Sequence, residues 1–122
     1  MDLKNITVTG LRKALDNKEI SAVEITTEFL NEIKKKDDKL QAFITVTEET
    51  ALENAKTAQT VIDSGKASPL TGIPLAIKDN MCTEGIRTTC ASKMLGDFGQ
   101  HNCRHRGNNS HHHRAAHYRE ER

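Results

Sequence analysis

The amino-acid sequence predicts a single α/β domain. Apolar residues recur at helical spacing in three segments, and two short runs rich in β-branched and aliphatic residues alternate with those segments. Gly, Pro and Ser cluster at the boundaries, as expected of turns. The chain has 122 residues, the usual length of one domain, with 35% hydrophobic residues, 3% aromatic residues and no Trp. We therefore expect a core built from Ala, Ile, Leu and Val.

The first helix is predicted between Thr7 and Asn17. Thr7 or Thr9 can cap its amino end, because a hydroxyl there accepts a hydrogen bond from a backbone amide that lacks a partner in the helix. Leu11 and Leu15 lie four residues apart and so share one face.

The second helix begins with a capping box. Ser21 and Glu24 fit the S/T-x-x-E pattern, in which the two side chains satisfy each other's backbone amides. The apolar residues behind it recur every four positions: Ile25, Phe29 and Ile33. Residues 34–36 are three lysines near the predicted end of the helix, which suits its negative pole. Because two aspartates follow at 37–38, we interpret this run as a solvated helix end and not as a nucleic-acid patch.

A strand, a third helix and a second strand complete the predicted elements. Residues 42–46 are rich in β-forming side chains. The third helix runs from Glu48 to the Ser64-Gly65 pair, where glycine can adopt the left-handed conformation that ends helices. Its alanines imply close packing: Ala51, Ala55 and Ala58. Residues 75–77 form a short apolar run bounded by turn residues, which predicts a buried strand.

Lys78 directly follows that strand and is the candidate catalytic residue. An ammonium group at the end of a buried strand is partly desolvated, which lowers its pKa and allows it to act as a base. The alternative from the residues alone is a structural ion pair with Asp79, and such pairs outnumber catalytic ones.

The residues around Lys78 resemble the amidase signature family. The resemblance rests on Gly72-Ile73-Pro74 followed by Lys78-Asp79, and it continues through residues 87–92, Arg-Thr-Thr-Cys-Ala-Ser. The stretches Leu-Arg-Lys-Ala-Leu at 11–15 and Glu-Ile-Ser-Ala-Val-Glu at 19–24 are similar to the opening helices of one branch of that family. That branch contains subunits of tRNA-dependent amidotransferases. The resemblance covers about residues 1–98.

The resemblance implies a fold, a reaction and partners. It implies the amino-terminal helices and first strands of a mixed sheet flanked by helices, truncated here, with Lys78 as general base of a Ser–cis-Ser–Lys triad. In that triad the lysine takes a proton through a bridging serine while a second serine attacks the glutamine side-chain amide. Glutamine is the ammonia donor, misacylated tRNA the acceptor, and B and C subunits the partners. ATP and Mg²⁺ are used through the partner subunit, and no cofactor is expected in this chain.

Both family serines lie in a Gly/Ser-rich stretch downstream of the lysine. None of the serines of this chain has that setting: Ser21, Ser64, Ser68, Ser92 and Ser110. We interpret Ser92, the nearest of them in sequence to Lys78, as a structural residue at a helix start. The chain alone is therefore expected to be inactive, and a non-catalytic truncated product or a His-rich binding module is the alternative function.

Charge divides the chain in two near Phe98. Residues 1–98 hold all 11 lysines, two arginines and 15 acidic residues, a net charge of −2. Residues 99–122 hold five arginines, six histidines, two acidic residues and no lysine, a net charge of +3. We assign 1–98 to the amino-terminal part of an amidase domain. We expect 99–122 to be a disordered, out-of-frame tail, because it lacks apolar periodicity; a basic nucleic-acid arm is an alternative for it.

The remaining signals concern metals, thiols and compartment. His113 and His117 are four residues apart, with Cys103 and His105 as further candidate ligands, but the spacing matches no zinc module, and we expect no metal. Three cysteines without CxxC spacing indicate free thiols. No apolar run approaches the length of a membrane span and the first residues do not open a signal peptide. We expect a cytoplasmic protein without a membrane partner.

Overall fold

A computed structural model of the chain describes residues 5–81, 86, 88–95 and, for the backbone, 117–120. These residues form three α-helices, one short 3₁₀-helix and three strands. The helices are α1 (Val8–Asp16), α2 (Ala22–Leu40) and α3 (Glu48–Asp63), with the 3₁₀-helix at Lys93–Leu95. The strands are β1 (Phe43–Val46), β2 (Leu75–Lys78) and β3 (His117–Glu120). The predicted α/β class is confirmed.

The first helix begins where its capping signal predicts. The Thr7 hydroxyl accepts a hydrogen bond from the Gly10 amide at 3.0 Å, and so Thr7 is the cap, while Thr9 lies inside the helix. Leu11 and Leu15 are both buried on one face. The four-residue spacing therefore selected the correct core residues.

The capping box of α2 is present in full. The Ser21 amide donates to Glu24 Oε2 at 2.8 Å, and the Glu24 amide donates to Ser21 Oγ at 3.2 Å. Each side chain thus satisfies a backbone donor that has no partner within the helix.

The predicted end of α2 is wrong by about one turn. The helix continues past the three lysines and through the two aspartates to Leu40. The reason is a carboxylate: Asp37 Oδ1 accepts hydrogen bonds from the Ala42 amide at 2.8 Å and the Phe43 amide at 3.2 Å. Asp37 therefore organises the turn into β1 from inside the helix. Gln41 ends the helix in the left-handed conformation, with φ 48°.

The lysine run of α2 is solvated, as predicted, and pairs with acidic residues on its own side. Lys35 and Lys36 both contact Glu32, and Lys34 Nζ lies 2.7 Å from Glu48 Oε1 at the start of α3. Exposed pairs of this kind contribute at most about 1 kcal/mol each. Hydrogen bonds from Lys36 and then Lys35 hold the pKa of Glu32 below its ordinary value.

The alanine face of α3 is buried, as its composition predicts. Ala51, Ala55 and Ala58 are all below one-tenth exposed, and α3 packs on α2. The Gln59 side chain adds a polar link, because its Oε1 accepts the Ala22 amide at 2.9 Å. This bond occupies one of the amide donors at the amino end of α2, which lack helical partners.

The core joins all three helices to the loop before β2. Its fully buried members are Leu11, Leu15, Ala22, Ile25 and Ile73. Ile62 of α3 packs against this cluster at its margin. Because Ile73 comes five residues before Lys78, the helical core directly holds the start of the segment that carries the candidate site.

The three strands form a mixed sheet in the order β1-β3-β2. β3 pairs antiparallel with β1 and parallel with β2, with Leu75 opposite His117 and Lys78 opposite Glu120. The sequence analysis did not predict β3. The expected disorder of residues 99–122 otherwise stays a prediction, because residues 96–116, 121 and 122 lie outside the described part of the chain.

β2 is found where predicted, but the expectation that it is buried is wrong. The Leu75 side chain is 36% exposed, Ala76 is exposed and Ile77 is half-buried. The reason is position: β2 lies at the edge of the described sheet and pairs with β3 alone. A short apolar run indicates a strand, but it carries no information about how many neighbours the strand has.

We expect the capping box to make a pH-dependent contribution to stability. Hydrogen bonds from the Ser21 amide, and then from its hydroxyl, lower the pKa of Glu24 below its ordinary value of 4.5. Because the folded pKa is the lower one, this stabilisation is complete above pH 4.5 and is lost as the pH falls through the folded value. Glu24→Gln should therefore lower the urea midpoint of the chain slightly at pH 7, and the difference should vanish in acid.

The control for this measurement is Glu28→Gln, which removes an exposed carboxylate one turn further along α2. A Glu24→Gln difference that is equal at pH 7 and below the folded pKa would show that the carboxylate charge plays no part.

Candidate functional site

The loop that leads into β2 is fixed by the first helix. Arg12 donates from Nη1 to the Thr71 carbonyl at 2.6 Å and from Nη2 to Asp16 Oδ1 at 2.6 Å. The guanidinium is largely buried, with 12% of the side chain exposed. A charge-assisted hydrogen bond in this setting is among the stronger ones in proteins. The loop is therefore tied to α1 immediately before the strand that carries Lys78.

Gly72 allows the same loop to approach the core. It adopts φ +82°, a conformation that residues with a side chain rarely take. A Cβ atom placed there would lie 3.0 Å from Ile62 Cδ1 and 3.1 Å from Ala22 Cβ. The Gly72-Ile73-Pro74 sequence thus has a structural reason: glycine permits the close approach and Ile73 fills the space beyond it.

Lys78 is the last residue of β2, and its side chain is exposed. Its carbonyl accepts the Met81 amide at 2.9 Å, which closes a turn directly after the strand. The expected partial desolvation of the ammonium group is wrong for the described structure, because the edge strand leaves it in solvent. The alternative of a structural ion pair is also wrong, since Lys78 takes part in none of the ion pairs among the described residues.

Asp79 is fully buried and accepts several hydrogen bonds. Its Oδ1 accepts the Thr89 amide at 2.7 Å, and its Oδ2 accepts the Thr89 hydroxyl and the Ala91 amide, the latter at 3.4 Å. Its own carbonyl accepts the Cys90 amide at 3.1 Å. Four donors from three consecutive residues therefore converge on one aspartate, which fastens the 89–91 segment to the end of β2.

The 89–91 segment is a tight turn in an uncommon conformation. Cys90 and Ala91 have φ angles of 48° and 53°, both left-handed. Each such non-glycine residue costs of order 1–3 kcal/mol unless the surroundings hold it in place. The hydrogen bonds to Asp79 supply that restraint.

An open groove of about 480 Å³ runs beside this turn. Its lining combines apolar and hydroxyl side chains with one lysine: Ile44, Thr45, Thr89, Ala91, Ser92 and Lys93. Ser92 is the residue directly before the 3₁₀-helix, and its carbonyl accepts the Leu95 amide at 3.2 Å. This agrees with the interpretation of Ser92 as a structural residue at a helix start.

Other predicted features lie partly outside the described residues. Cys90 is a free, exposed thiol, as expected. Cys82, Cys103, His105 and His113 are not described, nor is the side chain of His117, so the predictions for the tail and its metal-binding alternative remain open. The described ranges contain no group of three or more side chains suited to a metal ion. Across those same residues, no helix has the length and hydropathy needed to cross a lipid bilayer.

Sequence reasoning missed the link between Asp79 and Thr89. It treated Asp79 only as a neighbour of Lys78, and no recognised motif pairs an aspartate with a threonine ten residues later. A weak signal was present, because a carboxylate directly after a strand must be satisfied by hydrogen bonds if it is buried.

Comparison with known proteins agrees with this architecture. The profile of the family described as Amidase matches residues 24–102, more than half of the chain. The chain belongs to the amidase family. The match includes α2, α3, β2 and the turn held by Asp79, so the helical core and the candidate site are both within it.

Similar proteins in bacteria carry one name, that of the A subunit of glutamyl-tRNA(Gln) amidotransferase. The chain is 56% identical over 98 residues to the protein of this name from Ruminiclostridium cellulolyticum and 51% identical over 98 residues to the one from Caldanaerobacter subterraneus subsp. tengcongensis. The Azoarcus sp. protein of the same name is 53% identical over 94 residues. In the first two comparisons the match covers 80% of this chain and 20% of the relative, so the chain spans about a fifth of the length of these proteins.

A solved structure also matches the fold. One chain from a work described as an unexpected vestigial protein complex that reveals the evolutionary origins of an s-triazine catabolic enzyme superimposes with a TM-score of 0.69 at 26% identity. The match covers 74% of this chain and 20% of that one. The mixed α/β arrangement described above is therefore shared with an experimentally determined structure.

Proposed function

We propose that this chain supplies the lysine of the glutamine-hydrolysing A subunit of glutamyl-tRNA(Gln) amidotransferase. The observation that carries the proposal is the segment of residues 72–79. In it, a glycine held against the helical core leads through β2 to Lys78, and a buried aspartate follows at once. The similarity to A subunits over 98 residues supports the same conclusion.

The chemistry proposed for Lys78 is that of a general base. A serine hydroxyl attacks an amide carbon only if its proton is removed as the bond forms, and a neutral amine placed one hydroxyl away can accept it. The ammonia released from the side-chain amide of glutamine is then available for transfer. Within these residues the Lys78 side chain is exposed, so a serine from elsewhere in a longer A subunit is able to approach it.

The proposal includes the partners and compartment expected of such a subunit. B and C subunits would bind the A subunit, and ATP and Mg²⁺ would act through the B subunit on misacylated Glu-tRNA(Gln) or Asp-tRNA(Asn). The chain itself would hold no cofactor, and the complex would be cytoplasmic. These roles rest on the similarity to the named relatives.

A chimeric protein tests the proposal. Residues 1–98 of this chain replace the matching 98 residues of the Ruminiclostridium cellulolyticum A subunit, to which they are 56% identical. We expect the purified chimera, with its B and C subunits, to hydrolyse glutamine within about tenfold of the parent subunit, since volume-conserving core changes are tolerated. Ammonia release is the measurement.

Two controls accompany the chimera. The Ruminiclostridium subunit without its matching 98 residues should be inactive, which shows that the transplanted segment is needed. The 122-residue chain alone should release no ammonia above background, because none of its serines lies in a Gly/Ser-rich stretch. A folded chimera without glutaminase activity would refute the proposed function, and turnover by the 122-residue chain alone would refute the proposed dependence on further serines.

A further inference from the structure

We propose that Asp79 is the positioning residue of the site. Its buried carboxylate fastens the turn of residues 89–91 to the end of β2 and thereby fixes the backbone from which Lys78 projects. This inference rests on the proposed function, because the group to be positioned is the proposed base. It adds a residue with a distinct role, since Asp79 touches neither the substrate nor the reacting atoms.

The arrangement of hydrogen bonds is specific for a carboxylate. The amides of Thr89 and Ala91 and the hydroxyl of Thr89 all point at the two oxygens of Asp79. An aspartate has two acceptor oxygens and no donor, whereas an asparagine has one acceptor oxygen and an amide group that donates. An asparagine at this position therefore faces at least one amide donor with a donor of its own.

The turn needs this restraint because of its backbone. Two consecutive non-glycine residues, Cys90 and Ala91, are left-handed. Left-handed residues are unfavourable on their own, and the segment will relax when the carboxylate no longer accepts its amides. The Thr88 hydroxyl adds one weak contact, at 3.5 Å from the Met81 carbonyl. Asp79 is thus the principal anchor of the turn among the described residues.

Lys78 depends on its backbone for its direction. Its exposed ammonium group has no ion-pair partner in the described structure, so no partner charge holds the side chain in place. The next residue along the chain is Asp79, and the Met81 amide bonds back to the Lys78 carbonyl at 2.9 Å. A change at Asp79 therefore reaches Lys78 through one peptide bond. Misplacement of a catalytic group by about 1 Å can cost about 10²-fold in rate.

Asp79 lies outside the helical core, which makes the role separable from overall stability. The core cluster consists of residues from α1, α2 and the 73 position, with Ile62 at its margin, and it does not include Asp79. Loss of the carboxylate is therefore expected to loosen the turn and leave the helices folded.

Two kinetic variants and a conservative control test the proposal in the chimera described above. Asp79→Asn and Thr89→Val each remove part of the hydrogen-bond set and keep the side-chain volume nearly constant. Thr89→Ser keeps the hydroxyl. We expect kcat for glutamine hydrolysis to fall by about 10-fold to 100-fold in the first two variants with little change in KM, and Thr89→Ser to retain most of the activity.

Amide hydrogen exchange on the 122-residue chain gives a readout that does not involve catalysis. In the Asp79→Asn variant the amides of Thr89 and Ala91 should exchange at least tenfold faster, and those inside α2 should not change. Faster exchange throughout the chain would overturn the separation between turn and core.

The possible failures are distinguishable. If Lys78→Ala abolishes activity but Asp79→Asn and Thr89→Val leave kcat unchanged, the positioning role is overturned and the proposed function stands. A rise in KM at constant kcat overturns the positioning role equally, since it indicates a contribution to substrate binding alone. If the Lys78→Ala chimera remains active, the proposed function itself fails, and the positioning role fails with it.

Discussion

Lys78→Ala is expected to abolish most of the glutaminase activity of the chimera. Removal of a positioned base costs typically 10²–10⁴-fold in rate, and we expect kcat to fall by about that factor. KM should change little, because an amine that accepts a proton from the nucleophile acts mainly in the transition state. The measurement is steady-state ammonia release over a range of glutamine concentrations.

Two further lysine variants separate the proposed chemistry from a simple charge effect. Lys78→Arg preserves the positive charge, but a guanidinium stays protonated in proteins and cannot serve as a base. We therefore expect it to be about as inactive as Lys78→Ala. Lys66→Ala removes another exposed lysine, before β2, and should be fully active. Activity of Lys78→Arg close to that of the parent would contradict the role of general base.

Gly72→Ala is expected to destabilise the chain more than any exposed substitution. The new Cβ must occupy a left-handed position, which costs roughly 1–2 kcal/mol. It must also enter the space beside Ile62 and Ala22, and overpacking of a core costs typically about 1–3 kcal/mol. The free energy of unfolding should therefore fall by about 2–5 kcal/mol, measured by urea denaturation of the 122-residue chain followed by circular dichroism.

Gly65→Ala is the matched control for that experiment. Gly65 has a similar φ, +72°, but a Cβ there would meet nothing within 4 Å. Its cost is conformational only, roughly 1–2 kcal/mol, so the difference between the two variants measures the packing at Gly72. Equal destabilisation by both substitutions would show that the contacts at Gly72 contribute nothing.

The helices of this chain were predictable because their signals are local. The capping box of Ser21 and Glu24 lies within four residues, and the apolar spacing of Leu11 and Leu15 reflects the helix period itself. The end of α2 was not predictable from the same rules. The carboxylate of Asp37 stabilises amides outside the helix, which requires knowledge of the path of the chain after Leu40.

The candidate site was predictable only in part, for a related reason. The position of Lys78 at the end of a strand follows from a short apolar run and its turn residues. Its exposure does not, because burial of β2 depends on which strands lie beside it and not on its own composition. The hydrogen bonds between Asp79 and residues 89–91 join positions that no periodic pattern relates, so only the folded chain reveals them.

The hydrogen bond between Arg12 and the Thr71 carbonyl has a consequence for biosynthesis. The two residues are 59 positions apart. At a translation speed of about 5–20 residues per second, the first helix leaves the ribosome roughly 3–12 s before its carbonyl acceptor does. During that interval the guanidinium of Arg12 and the leucines of the nascent helix have neither Thr71 nor Ile73 to cover them. Chaperones that shield apolar nascent segments would find their target there, at the beginning of the polypeptide.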